Sequence, residues 1–248
     1  MTRQTNAEIG KNRTGIGMSP IDSREMMAAA SAGGEPFSDG HRFQQWRVSF
    51  SDEAEPMPIG TVPPPATVKG TVKSMIKLVT GRQPAVFVDH LGARLGFERT
   101  GSRLYEAILA KTARAGGEGT IRSLLEQFRD QEIQHFQIVR EAMEALGVDP
   151  TAQTPAADVV GVASMGLIQI VTDPRTSVDQ CLEALLIAEL ADYDGWTMLI
   201  HMADSMGESD LSSRFGQALG EEREHLTTVR SWLNDRTDAE LQRQPPRQ

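Results

Sequence analysis

Cysteine is almost missing from this chain: Cys181 is the single thiol in 248 residues. That excludes an intrachain disulfide framework, a four-cysteine zinc site and a rubredoxin-type iron site. A reducing, cytoplasmic compartment is the expectation. No uninterrupted apolar run reaches about 18 residues, so no transmembrane helix is expected, and the N-terminus lacks the apolar core of a signal sequence. Hydrophobic content is modest at 39%, with the shortfall mostly in the N-terminal third. Positive charge is scarce where the chain is most regular. From Pro84 onward 15 Lys and Arg face 26 Asp and Glu, a balance of −11, whereas the preceding residues carry +2. An acidic body argues against a nucleic-acid phosphate partner and against an anionic membrane surface, and is compatible with attracting cations.

Residues 1–66 read as a largely irregular N-terminal arm. Arg42 to Phe50 reads as a short strand or an ordered arm, and Pro56-Met57-Pro58 with Pro63-Pro64-Pro65 marks an extended linker. Residues 67–83 read as a short helical lead-in, with Val72, Met75, Ile76 and Val79 on one side over Val68 to Thr80. Residues 84–233 carry helical spacing throughout. Pro84 opens a first helix ended by Gly116-Gly117. Thr120 opens a second, capped by Gly147. A long crossover, about 148–176, contains the apolar segment Val159 to Val171. Ser177-x-x-Gln180 is a capping box for a third helix ended by Gly207. The fourth runs from about Asp210 to Leu233, leaving 234–248 as a polar tail. The fold class is therefore all-α, a four-helix bundle. Its long crossover sets the second and third helices parallel.

The chemistry lies in a repeated spacing. Glu132-x-x-His135 puts a carboxylate and an imidazole on one helix face, one turn apart, and Glu222-x-x-His225 repeats it ninety residues later. Each copy follows a glutamate with an aromatic seven residues on: Glu98 with Tyr105, and Glu189 with Trp196. The separations are 34 residues from Glu98 to Glu132 and 33 from Glu189 to Glu222. Composition alone gives fewer than one Glu-x-x-His among five histidines. Four carboxylates on apolar stripes need charge compensation, and two divalent metals supply it. Four glutamates and two imidazoles suit iron or manganese. The expected metal set is Glu98, Glu132, His135, Glu189, Glu222 and His225, with the four glutamates taking part in the chemistry. Asp192, one turn after Glu189, is either a fifth carboxylate or a supporting one. Tyr105 and Trp196 read as packing beside the site, His90 and His201 as surface or capping residues, Glu183 as structural, and Cys181 as a small core residue.

These residues resemble the ferritin-like superfamily, in particular its rubrerythrin-related branch. The resemblance covers about 84–233 and rests on Gly96-Phe97-Glu98, Leu104-Tyr105, Glu132-x-x-His135, Ala188-Glu189, Trp196 and Glu222-x-x-His225. It implies Glu132 and Glu222 as bridging carboxylates, Glu98 and Glu189 as terminal ones, and one histidine per metal. It implies two iron ions, with manganese as the alternative, and chemistry on dioxygen or peroxide with an external electron donor. Ferroxidase or peroxidase activity, manganese catalase, organic-substrate oxygenation, iron storage and a structural metal bundle all stay open. A homo-oligomer, most simply a dimer, is expected. Rubrerythrin proper has a cysteine-rich module that this sequence does not contain. Iron-storage ferritins usually lack the second matched histidine. The polar tail does not resemble the apolar tag of encapsulated relatives.

Overall fold

A computed structural model describes residues 20–32, 44–45, 48–49, 58–65, 83–114 and 119–242. The chain divides into two compact units, Met1–Met57 and Pro58–Gln248. The first contains helix α1, Pro20–Ala32. The expectation of a largely irregular arm did not include this helix: the run Glu25-Met26-Met27-Ala28-Ala29-Ala30 is made of strong helix formers behind a proline suited to a first turn. Gln44, Gln45 and Val48 are also helical, and Ser49 N donates to Gln45 O at 3.1 Å, so a strand over Arg42 to Phe50 is not formed at these residues. The expected helix over Val68 to Thr80 lies outside the described residues.

The second unit consists of α2 (Pro84–Arg114), α3 (Gly119–Ala145), α4 (Pro155–Thr172), α5 (Val178–Met206) and α6 (Ser209–Leu241). Packed neighbours run α2, α3, α6, α5 and back to α2, a closed four-helix ring, with α4 laid across α2 and α5. No strand occurs among the described residues. The helix ends follow their residue chemistry. Gly147 and Gly207 adopt left-handed φ values of 77° and 70°, where glycine has no Cβ penalty. The Ser177–Gln180 capping box forms with both reciprocal bonds. Thr154 caps α4, and Asp89 of α2 supports that start by accepting Ala156 N at 2.9 Å.

The core forms two apolar plugs with a polar layer between them. One gathers Phe87, Leu91, Val139, Met143, Leu199 and Phe215. The other gathers Leu104, Ile108, Leu125, Phe128, Leu185 and Val229. Along α2 and α6 the chain passes from the first plug to the second, and along α3 and α5 from the second to the first. So α3 and α5 are parallel, as the long crossover requires. Each fully buried apolar side chain contributes about 1.5–3 kcal/mol, and this is what offsets the cost of the buried charges between the plugs.

One further expectation is corrected. The last helix does not stop at Leu233 but continues to Leu241. Arg236 pairs with Asp179 of α5, and Thr237 donates to Leu233 O at 2.8 Å, which ties that extension down. Helix α4 is long and apolar enough, by length and composition, to cross a membrane. Asp158, Ser164 and Gln169 interrupt its apolar run without much lowering the average. Its packing on α2 and α5 makes it part of this unit.

Candidate metal centre

The polar layer is made by one turn from each ring helix. Helical spacing sends Glu98 of α2, Glu132 and His135 of α3, Glu189 of α5, and Glu222 and His225 of α6 inward, and all six side chains are buried. Their ligand atoms form two groups, Glu98, Glu132, His135 and Glu222, and Glu132, Glu189, Glu222 and His225, each within 4.8 Å. Glu132 and Glu222 belong to both. All six residues expected from the sequence are thereby brought together.

The two imidazoles face this centre in the same way. His135 Nδ1 lies 2.6 Å from Glu222 Oε1 and 3.7 Å from Glu98 Oε2. His225 Nδ1 lies 3.3 Å from Glu222, 3.4 Å from Glu132 and 3.6 Å from Glu189. Their far nitrogens are held from across the bundle. His135 Nε2 donates to Glu221 of α6 at 2.7 Å, and His225 Nε2 donates to Gln131 of α3 at 2.9 Å. A proton fixed on Nε2 leaves Nδ1 free to ligate. Gln131 and Glu221, each just before the glutamate of a Glu-x-x-His motif, thus orient the histidine of the neighbouring helix. Sequence reasoning missed this pair; the only signal was a polar residue at the same position before both Glu-x-x-His motifs.

Three more residues complete the layer. Tyr105 donates to Glu189 Oε1 at 2.7 Å, so its role is to hold a carboxylate as well as to pack. Arg94, one turn before Glu98, is buried and places Nε 2.7 Å from Glu98 Oε1 and Nη2 2.9 Å from Asp192 Oδ1. These are close charge contacts without linear hydrogen-bond geometry. Asp192 therefore belongs to Arg94 and is in neither ligand group. Trp196 sets its ring edge-on to His135, 5.5 Å between centroids, and His90 lines a cavity between α2, α4 and α5.

The electrostatics are those of a site built for cations. Burial drives the Glu98, Glu132 and Asp192 carboxyls upward, and Glu189 to about 8, against the pull of Arg94 and the histidines. Burial would also raise Glu222, but the Nδ1 atoms of His135 and His225, in close charge contact with it, outweigh that and hold it at about 2. The histidines move the other way. Burial opposes their charge, yet Glu222 and Glu98 push His135 up to about 9, and Glu132, Glu189 and Glu222 push His225 up as well. Protons thus neutralise the cluster in the metal-free chain. Metal ions must displace them, so binding releases protons.

Residues of this kind fit a metal. The oxygens of Glu98, Glu132 and Glu222, and both Nδ1 atoms, are buried without hydrogen-bond partners. Space for Glu132 is cut into α2, where a Cβ added to Gly101 would collide with its carboxylate. The family model described as Ferritin-like domain matches residues 88–235. The chain belongs to the ferritin-like domain family. No curated protein and no solved structure matches it. In this ferritin-like chain the buried Glu and His cluster can hold metal ions.

Two consequences are testable. Gly101→Ala should leave the bundle folded but swing Glu132 aside, weakening metal binding about 10-fold or more in a chelator competition. Metal affinity equal to that of the parent chain would show that Glu132 is not needed in its observed position. Gln131→Leu and Glu221→Leu should each weaken metal binding about 10–100-fold, while Glu221→Gln, which keeps an acceptor oxygen, should recover much of the loss. If the leucine variants titrate like the parent, the Nε2 hydrogen bonds do not set the ligand geometry.

Proposed function

We propose that this bundle holds two iron ions and acts as a carboxylate-bridged di-iron oxidoreductase using dioxygen or hydrogen peroxide, akin to the rubrerythrin-related branch. The observation that carries the reading is the sharing of Glu132 and Glu222 between two otherwise separate ligand groups. In this reading Glu132 and Glu222 would be shared by the two ions, Glu98 and His135 would help hold one, and Glu189 and His225 the other. Two adjacent ions would supply a two-electron reaction at a carboxylate-rich, oxygen-accepting pair.

The protein's own residues have three tasks. Gln131 and Glu221 fix the imidazoles in their ligating tautomer. Tyr105 holds Glu189, and Arg94 balances Glu98. The plugs around Phe128 and Phe215 exclude bulk water from both ends of the layer. Electrons come from outside the bundle, from iron itself or from an external donor.

The experiment is to load metal-free protein anaerobically with two ferrous ions per chain, then mix with each oxidant. Rapid growth of near-ultraviolet ferric absorbance, lost in Glu98→Ala and Glu189→Ala, is the expected result. A reduced iron form that stays unchanged for minutes, beside a manganese form that disproportionates peroxide, would replace this reading with a manganese catalase. Continued iron uptake beyond two ions per chain would favour storage instead.

A further inference from the structure

A cavity of about 290 Å³ opens between α2, α4 and α5, immediately beside the polar layer. It is roughly twice the ~150 Å³ of an apolar protein cavity that takes benzene. It exists because the three helices face each other there with small side chains: Ala93 on α2, Ala163 and Ser164 on α4, and Ala191 and Gly195 on α5. Gly195 cannot be larger, since an added Cβ would strike the Arg94 guanidinium. The lining is almost wholly apolar.

Its few polar groups settle the charge of what fits. The Ser164 hydroxyl donates to Val160 O of its own helix at 2.7 Å. Arg94 is already engaged by Glu98 and by Asp192, whose carbonyl also accepts Nη1 at 3.2 Å. An anion placed against Arg94 would be a third negative group around one guanidinium. A cation would find no carboxylate in the wall, because the nearby ones face Arg94 and the ligand cluster. Burying either charge unpaired is costly. What remains is an uncharged apolar molecule, with the His90 side chain as the one further polar contact. The Arg94 guanidinium, lying 4.5 Å over the Phe97 ring, forms the partition between this cavity and Glu98.

We propose that this cavity binds a small uncharged apolar molecule, an alkyl chain of about eight carbons or an aromatic ring, on the Glu98 side of the metal centre. Its role as a substrate or ligand pocket of that centre rests on the di-iron reading; its occupancy by an apolar molecule does not. The outer face of α4 is apolar as well, with Val159, Val162 and Met165 exposed, so such a molecule meets carbon on its way in.

The test is calorimetric titration of the full chain, iron-loaded and metal-free, with 1-octanol, octanoate and octylammonium. Octanol should saturate near one per chain, with both charged analogues about 10-fold or more weaker. Ala163→Phe and Ala191→Phe, which fill the cavity from two exposed wall positions, should each weaken octanol binding about 10-fold or more while metal content stays at the parental level. Octanoate binding as tightly as octanol would overturn the proposal, because Arg94 would then be an anion receptor. So would octanol binding unchanged in both filled variants. So would absent octanol binding in a chain that light scattering shows to be a dimer split by Ala163→Phe, since the cavity would then belong to an interface between copies. Failure of the di-iron reading appears separately, as missing iron in the metal assay, and leaves the octanol isotherm of the metal-free chain intact.

Discussion

Replacing Glu132 and Glu222 together by Ala should abolish metal binding, whereas His135→Ala or His225→Ala should cost about one of the two proposed ions. The asymmetry follows from membership. Each histidine reaches one ligand group, while the two glutamates stand in both. Either glutamate alone should also cost both ions, because a shared oxygen donor cannot be lost from one group and kept in the other. The fold should survive these changes. The plugs on either side of the layer share no residue with the ligand set, and removing buried carboxylates relieves their desolvation cost. Circular dichroism should therefore show a parental helix content in a chain that elemental analysis finds metal-free. Two ions per chain retained in the double variant would refute the assignment of these groups as ligands.

Legibility in the sequence divides along a physical line. The buried cluster of Glu and His could be read because an i, i+3 pair is a local property of a helix, and because two copies at nearly equal distance are improbable in composition. The parallel α3 and α5 followed from crossover length, and the Ser177 and Gly207 ends from capping chemistry. Arg94, Gln131 and Glu221 could not be assigned in the same way, since each acts across the bundle on a residue of another helix. Arg94 carried a faint local signal in its i, i+4 spacing to Glu98, no different from the exposed pair Arg122 and Glu126. Only packing tells the two apart. The two halves of the layer also look equivalent in sequence but are not in space. Glu98 is met by a guanidinium and Glu189 by the Tyr105 phenol, so two ions held there would sit in different fields. Helix α1 and the end of α6 were missed for a different reason: the side chains described there are exposed, and without an apolar stripe the periodic signal is weak.

Arg94→Met destabilises the metal-free chain by about 3–5 kcal/mol at neutral pH or above, the cost of leaving a buried charge without its partner. The guanidinium side chain is 4% exposed, and Glu98 and Asp192 are 0% and 3% exposed, so water cannot take its place. Burial already raises both carboxyls and Arg94 opposes that rise. Without Arg94 both rise further, and the folded chain then binds protons that the unfolded chain releases. A carboxyl whose folded-state pKa exceeds its unfolded value contributes most at low pH and loses that contribution as pH climbs. The penalty should therefore be small near pH 5, where both groups can be protonated, and large near pH 8. Thermal melts of the metal-free parent and variant at both pH values measure it. Arg94→Met combined with Asp192→Leu should recover part of the loss, because only Glu98 then remains unpaired. Arg94→Lys should recover less than full stability, since one ammonium cannot span both carboxylates as the planar fork does. A melting difference that is the same at pH 5 and pH 8 would mean that Arg94 stabilises the bundle by packing against Phe97 and Trp196, not by holding two buried carboxylates.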